Sequence, residues 1–143
     1  MILLAILAQL AVTPAGGEEI ASASDCEILV EIGKSEVGWG AAGPNEAFVD
    51  VGPLPDGVIY RQACDWNALG VGAPKIVGAD EAGARFAVEK PVYAADGETA
   101  RADLNFIFTG APGDRLFLSV RHCALRKAAG HWRLVECVAG PIT

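Results

Sequence analysis

The stretch that decides the fold is residues 100–109, which has the sequence ARADLNFIFT. Apolar side chains alternate with polar ones along it, from Ala100 to Phe108. A period of two places successive residues on opposite faces of a strand, so the stretch predicts a β-strand with one buried face. Turn sequences bound it on both sides, and the preceding one, Ala95-Asp96-Gly97, contains the Asp-Gly pair that is typical of a hairpin loop.

The neighbouring segments extend this strand into an antiparallel meander. Residues 84–93 predict a strand before it, in which Pro91 favours a sheet edge or a bulge. Residues 115–127 and 132–138 predict the last two strands, joined as a hairpin. The sequence therefore predicts four antiparallel strands between about residues 84 and 138.

A helix is predicted before the sheet, over residues 25–37. Ser24 and Glu27 fit a capping box, in which each side chain bonds the other residue's backbone N–H. The β-prone triplet Ile28-Leu29-Val30 leaves a strand as the alternative. The helix is favoured because small or apolar residues recur on one helical face: Cys26, Leu29, Val30, Gly33 and Val37. The predicted fold class is α+β, with this helix packed on the four-stranded meander.

The segment between helix and meander is predicted to be mostly irregular. Residues 38–57 are rich in glycine and proline, which excludes long regular elements. Short extended pieces are predicted at 47–51 and 58–61. Residues 64–70 predict one helical turn with Asp65 as its N-cap.

The N-terminal residues predict an export signal. Residues 2–12 form an almost unbroken apolar run, too short to span a bilayer but typical of a signal peptide, although no lysine or arginine precedes it. Small residues favour cleavage after Ala15, and the region 15–23 holds a second candidate site. A buried N-terminal helix or strand is the alternative. We interpret residues 1–15 as a signal peptide and 24–143 as one α+β domain in the periplasm or outside the cell.

Four cysteines in an exported chain predict two disulfides. If the last hairpin is centred on Gly130, Cys123 and Cys137 lie equally far from its centre and face each other across the strands. This register leaves Cys26 to pair with Cys64. Four cysteines allow three connectivities, so the pairing depends on that register.

Composition and charge exclude several classes of protein. The net charge is −7, with 18 acidic against 11 basic residues, which argues against a nucleic-acid partner because phosphates need a basic face. Hydrophobic residues make up 52% of the chain, which excludes a disordered protein. No membrane span is expected once the signal peptide is removed.

The sequence contains no complete catalytic, metal-binding or cofactor motif. His122 adjoins Cys123 on a predicted strand, where adjacent side chains face opposite ways, so a Cys–His nucleophilic pair is disfavoured. The other histidine, His131, lies in a predicted turn. No zinc-ligand spacing and no full nucleotide-binding loop occurs, so we expect no catalytic residue, no metal and no cofactor.

The candidate binding residues are Trp39, Trp66 and Asp65. We expect a groove lined by the two tryptophans near the loop 38–57, because binding surfaces tend to lie on loops held by a rigid scaffold. Packing in the core is the alternative for both rings. Asp65 is explained by its capping role, but in an enzyme it or Glu31 would lie in that groove beside a second titratable group.

Three segments resemble a group of small exported bacterial proteins of unknown function: Asp25-Cys26, Cys64-Asp65-Trp66-x-x-Leu69-Gly70, and Cys123-x-Leu125-x-Lys127…Gly130-x-Trp132-x-Leu134-x-x-Cys137. The resemblance covers nearly all of the mature chain and implies no catalytic residue. From Arg85 onward the chain is also similar to the meander of cystatin-like and NTF2-like α+β rolls, families that include enzymes, binders and inhibitors. We therefore expect a non-catalytic module that binds a protein or a small molecule. The alternative is a small hydrolase-like or ligand-binding roll that uses carboxylates near Asp65.

Overall fold

A computed structural model describes residues 17–50, 52–78, 83–109 and 116–142. Within these ranges the chain forms one helix and ten strands, so the predicted α+β class is confirmed. The predicted signal peptide lies outside the described residues.

The elements follow one another along the chain in two groups. The first group consists of β1 (Glu18–Ile20), α1 (Ala23–Glu36), β2 (Ala47–Val49), β3 (Gly52–Pro53), β4 (Ile59–Arg61) and β5 (Ile76–Val77). The second group is the predicted meander: β6 (Gly83–Val88), β7 (Val92–Tyr93), β8 (Thr99–Thr109), β9 (Leu116–Ala128) and β10 (His131–Ile142).

The helix α1 begins two residues earlier than predicted, because a different serine caps it. The side chain of Ser22 accepts a hydrogen bond from the Asp25 backbone N–H at 3.0 Å, and the Asp25 carboxylate accepts one from the Ser22 N–H at 3.3 Å. The predicted box of Ser24 and Glu27 is therefore wrong. Both pairs have the same three-residue spacing, so the local pattern does not distinguish them.

The apolar face predicted for α1 is buried, and it is wider than predicted. Ile28 and Ile32 are also fully buried, which leaves only a polar stripe of the helix in solvent. Gly33 is required by a close approach, because a Cβ at this position would collide with the indole of Trp39.

The main sheet has seven strands, so the prediction of a four-stranded meander is wrong in extent. Its strand order is β10-β9-β8-β6-β2-β5, with β7 pairing to β8 as well. The meander strands are antiparallel, whereas β2 is parallel to both β6 and β5. The two added strands, β2 and β5, are only three and two residues long, so no alternation of apolar and polar residues predicts their pairing.

The predicted strand 84–93 is interrupted as Pro91 indicated. β6 ends at Val88, β7 resumes at Val92, and both pair with β8. Between them the Glu89 N–H still donates to the Asp103 carbonyl at 2.9 Å. Proline has no N–H for the ladder, so the chain bulges here and then returns to the same partner.

The last hairpin has a shorter loop than predicted and a compensating bulge. Its turn is Ala129-Gly130, where both residues have positive φ, as a two-residue type I′ turn requires. Leu125 therefore faces Leu134 and not Val135. An extra residue between Leu134 and Glu136 then shifts the register, so that Cys123 still faces Cys137.

A second, three-stranded sheet has the order β1-β4-β3. Residues Glu18–Ile20, which lie before the predicted start of the domain at residue 24, form β1 and pair in parallel with β4. Backbone hydrogen bonds to β4 hold this segment as a strand, which its own composition does not predict.

The core lies between α1 and one face of the meander, which we call the inner face. Along β8 the predicted alternation is confirmed as far as Leu104, since Ala100, Ala102 and Leu104 are buried and Arg101 is exposed, but Phe108 at the end of the predicted face is 48% exposed. The same core contains α1 residues, aromatic rings from the irregular region, and Cys123, Leu125 and Trp132 from the last hairpin. In the described part of the chain, no helix is long and apolar enough to cross a membrane.

Candidate functional site

The two candidate tryptophans pack against each other in the core. Trp39 is buried, and its indole N–H donates to the Gly72 carbonyl at 2.8 Å. Trp66 is half-buried, with its ring centroid 5.1 Å from that of Trp39, and Phe48 and Phe86 complete the aromatic cluster. The rings fill the space in which a groove was expected, and among the depressions described below none is lined by either tryptophan.

Asp65 is exposed and caps the short turn at 66–70, as predicted. Its carboxylate accepts a hydrogen bond from the Ala68 N–H at 3.1 Å, and its carbonyl accepts one from Leu69 at 3.1 Å. No other titratable side chain of the described residues bonds its carboxylate. The alternative of a hydrolase-like site near Asp65 therefore gains no support from this geometry.

Both predicted disulfides are present. Cys26–Cys64 ties α1 to the irregular region, and Cys123–Cys137 joins β9 to β10. No cysteine is left with a free thiol, so none is available as a nucleophile or metal ligand. The disulfides give the irregular region and the last hairpin a fixed position relative to the rest of the fold.

A buried carboxylate bonded by two tyrosines was missed by the sequence analysis. Asp25 accepts hydrogen bonds from the Tyr60 hydroxyl at 2.7 Å and the Tyr93 hydroxyl at 2.5 Å. Burial, and then the bond to Asp25, raise the pKa of both tyrosines above the ordinary value. Both hydroxyls therefore remain protonated donors at neutral pH. The cluster joins the first turn of α1 to β4 and β7. In the sequence, only the three-residue spacing of Ser22 and Asp25, which fits a capping box, could have drawn attention to Asp25.

Glu27 anchors the helix to the tip of the last hairpin. Its carboxylate accepts a hydrogen bond from the Trp132 backbone N–H and contacts His131 Nδ1 at 3.2 Å. Burial pushes the pKa of Glu27 up, but the bonds from Trp132 and His131 and the nearby charge of Arg133 outweigh it, so this pKa lies below its usual value.

We expect Glu27 to make the stability of the fold depend on pH in the acid range. Because its folded-state pKa is lowered, its contribution is fully present above the unfolded value near 4.5 and is lost as the pH falls through the folded value. Glu27→Gln should therefore flatten the decline of the unfolding free energy below about pH 5, measured by urea unfolding. Glu136→Gln, which removes an exposed carboxylate, is the control, and an equal flattening in both variants would contradict the assignment.

The surface most suited to binding is the opposite side of the meander, which we call the outer face. Strand pairing places on it, among others, Val92, Arg101, Asp103, His122, Ala124, Arg126, Arg133, Glu136 and Val138. Val135, the extra residue of the β10 bulge, lies beside them and is also exposed. Sequence analysis missed this surface because it depends on two bulges and on the pairing of four separate segments.

Two neighbouring depressions occupy the outer face. The first has a volume of about 400 Å³ and lies among Val92, Asp103, His122 and Glu136. The second, of about 320 Å³, is lined by residues that include Arg126 and Val135. They share Val92, Arg101 and Ala124. Volumes of this order accommodate one or two side chains of a partner each, or a small ligand.

The apolar side chains of this surface are unusually accessible. Val92, Val135 and Val138 have 61%, 57% and 53% of their surface exposed. Val92 and Val135 line the second depression, whereas Val138 lies across the strands from His122 and lines neither. Single exposed valines are ordinary, but two beside one depression offer apolar surface to a partner. The strands beneath them are rigid because the Cys123–Cys137 disulfide joins β9 to β10.

His122 is the one histidine of the outer face. Its Nδ1 lies 2.8 Å from a carboxylate oxygen of Asp103, and its ring lies over Gly140. A histidine–carboxylate pair is the orienting half of a catalytic triad, but no serine, threonine or cysteine bonds His122 among the described residues. The described residues also contain no group of three or more histidine, cysteine or acidic side chains that could hold a metal ion.

Comparison with known proteins adds no assignment. No protein-family model matches the chain, and neither a curated protein nor a solved structure does.

Proposed function

We propose that this protein is a non-catalytic binding module of the periplasm or the cell exterior, and that its outer face holds the partner. The observation that carries the proposal is the patch formed by the exposed valines Val92 and Val135 at the second depression. Apolar surface that remains in water on rigid strands is available for burial against a partner, at about 25 cal/mol per Å². The module binds by shape and apolar contact and carries out no reaction on its partner.

Export is supported by the two disulfides, because such bonds persist in oxidising compartments. The proposed processing site is after Ala15. Cleavage there retains β1 and Ser22, the N-cap of α1, whereas cleavage after Ala23 removes both. Loss of an N-cap serine costs about 1 kcal/mol, so the earlier site yields the more stable mature domain.

Site-specific photo-crosslinking tests the binding face. A photoreactive phenylalanine analogue is placed at Val135 on the outer face and, as the control, at Ile76, which is exposed to a similar extent (59%) on β5 at the far edge of the sheet. In cells that export the protein, we expect a discrete adduct from position 135 and none from position 76, because only the former lies on the patch.

Mass spectrometry of the adduct identifies what has been captured and at which residue. Identical adduct patterns from the two positions, or no adduct from position 135, would count against a partner on the outer face. Thermal unfolding of both labelled proteins checks that the analogue leaves the fold intact.

A further inference from the structure

Two arginines are diagonal neighbours on the outer face, and we call them the arginine row: Arg101 on β8 and Arg126 on β9. Arg126 also lies directly opposite Arg133 on β10. Like charges placed opposite each other across strands destabilise a sheet. The row therefore places two positive charges beside the second depression, in a protein whose net charge is −7.

No carboxylate of the described residues forms an ion pair with the row, although Asp103 and Glu136 lie on the same face and line the first depression with Arg101. Arg101 and Arg126 are exposed, whereas the guanidinium of Arg133 is directed to α1, where it lies 3.7 Å from Glu31 and helps to lower the pKa of Glu27. The second depression, which adjoins the row, has no acidic residue in its lining. Two guanidinium groups thus project beside an apolar depression with their hydrogen-bond donors directed to solvent.

We infer that the arginine row selects an acidic, extended segment of a partner protein, a conclusion that rests on the proposed binding function. Guanidinium groups bind carboxylates with paired, charge-assisted hydrogen bonds, and the partner's apolar side chain fills the second depression against Val92, Ala124 and Val135. Two arginines beside the apolar second depression thus favour a partner segment in which acidic residues adjoin a bulky apolar residue.

The spacing of the row indicates the pattern of that segment. Diagonal neighbours on adjacent strands lie about 7–8 Å apart, and alternate residues of an extended chain lie about 7 Å apart on one side. A segment that crosses the strands therefore brings acidic residues at positions i and i+2 to successive arginines. An aliphatic or aromatic residue next to this pair reaches the depression.

The remaining surface favours a short polypeptide over other anions. Beyond the row, the outer face carries Asp103 and Glu136, and the protein as a whole is acidic. A long polyanion or an anionic membrane would extend over this negative surface and be repelled. A short acidic stretch within an otherwise neutral segment contacts the row alone.

Selection from a displayed library of random peptides against the immobilised, oxidised protein tests the inference. We expect enriched peptides with acidic residues at alternate positions beside an apolar residue. For such a peptide, Arg101→Gln or Arg126→Gln should each weaken binding by about fivefold, and added salt should weaken it further. Lys75→Gln, which removes an exposed positive charge near the opposite edge of the sheet, should leave the affinity unchanged.

The outcomes separate this inference from the proposed function. Neutral or basic peptides whose binding is lost in Val135→Ser would overturn the acidic partner and leave the outer face as the binding surface. Absence of any enriched peptide, or peptides that are insensitive to both the arginine and the valine variants, would overturn both. Dextran sulfate or anionic vesicles that bind as tightly as the peptides, with the same dependence on the arginines, would overturn the choice of a polypeptide.

Discussion

Replacing both cysteines of the Cys26–Cys64 disulfide by alanine is expected to lower the free energy of unfolding by about 4 kcal/mol in the chain-entropy account. The bond closes a loop with a sequence separation of 38, and removing it returns that freedom to the unfolded chain. The corresponding Cys123→Ala/Cys137→Ala variant, with a separation of 14, should lose about 3 kcal/mol.

Urea unfolding of the two double variants measures the difference. Losses of this size are a large part of the total stability of a small domain, about 5–15 kcal/mol, so both proteins are best compared at low temperature. If the hairpin disulfide proved the more important of the two, loop entropy would not be the dominant contribution and strain or packing around Cys26 would have to explain the result.

Asp25→Ala is expected to lower the free energy of unfolding by about 3 kcal/mol. The substitution removes one half of the capping box, and it leaves the fully buried Tyr60 hydroxyl without an acceptor, which costs about 1–3 kcal/mol by itself. Circular dichroism during urea unfolding measures the loss, and the effect on α1 should appear in the helical signal.

A double-mutant cycle with Tyr60→Phe tests the assigned cause. Once the hydroxyl is absent, Asp25→Ala should cost about 1–2 kcal/mol less, because no buried donor is left unpaired. Strict additivity of the two substitutions would mean that the bond between Tyr60 and Asp25 contributes little. Ser35→Ala, at an exposed position near the other end of α1, is the matched control.

The parts of the fold that local pattern determines were predictable. The alternation along residues 100–109 specifies which face of β8 is buried, and the buried Ala102 and exposed Arg101 agree with it. The presence of α1 and of the turn after Asp65 also follows from local spacing and capping, although the capping box predicted for α1 was the wrong one. In each case the deciding interactions join residues that are close in sequence.

The hairpin shows how a correct pairing was predicted from an incorrect loop. An odd-length loop centred on Gly130 would place Cys123 opposite Cys137 directly. The actual two-residue turn offsets the register by one residue, and the bulge after Leu134 restores it. A bulge has no reliable local signature. The sequence therefore could not reveal that the shorter turn and the bulge shift the register in opposite directions and cancel.

The proposed binding surface could not be predicted, because it depends on contacts between residues that are distant in sequence. Tryptophans such as Trp39 and Trp66 are common both in ligand sites and in cores. Which of the two they form depends on residues distant in sequence, here Phe48 and Phe86, against which they pack. Likewise, the arginine row exists only because β8 and β9 align in one register. Contacts of this kind follow from topology, which the periodicity of single segments does not specify.

The attachment of α1 to the tip of the last hairpin has a consequence for the order in which the protein acquires its structure. Glu27 bonds Trp132, which lies 105 residues further along the chain. During synthesis the N-terminal part emerges first, so the apolar face of α1 stays unprotected until β9 and β10 have been made. The hairpin, whose contacts are local, is expected to form rapidly, and docking of the helix onto it is then the late, slow step. An incomplete chain is therefore most vulnerable to aggregation and proteolysis before β10 has been synthesised.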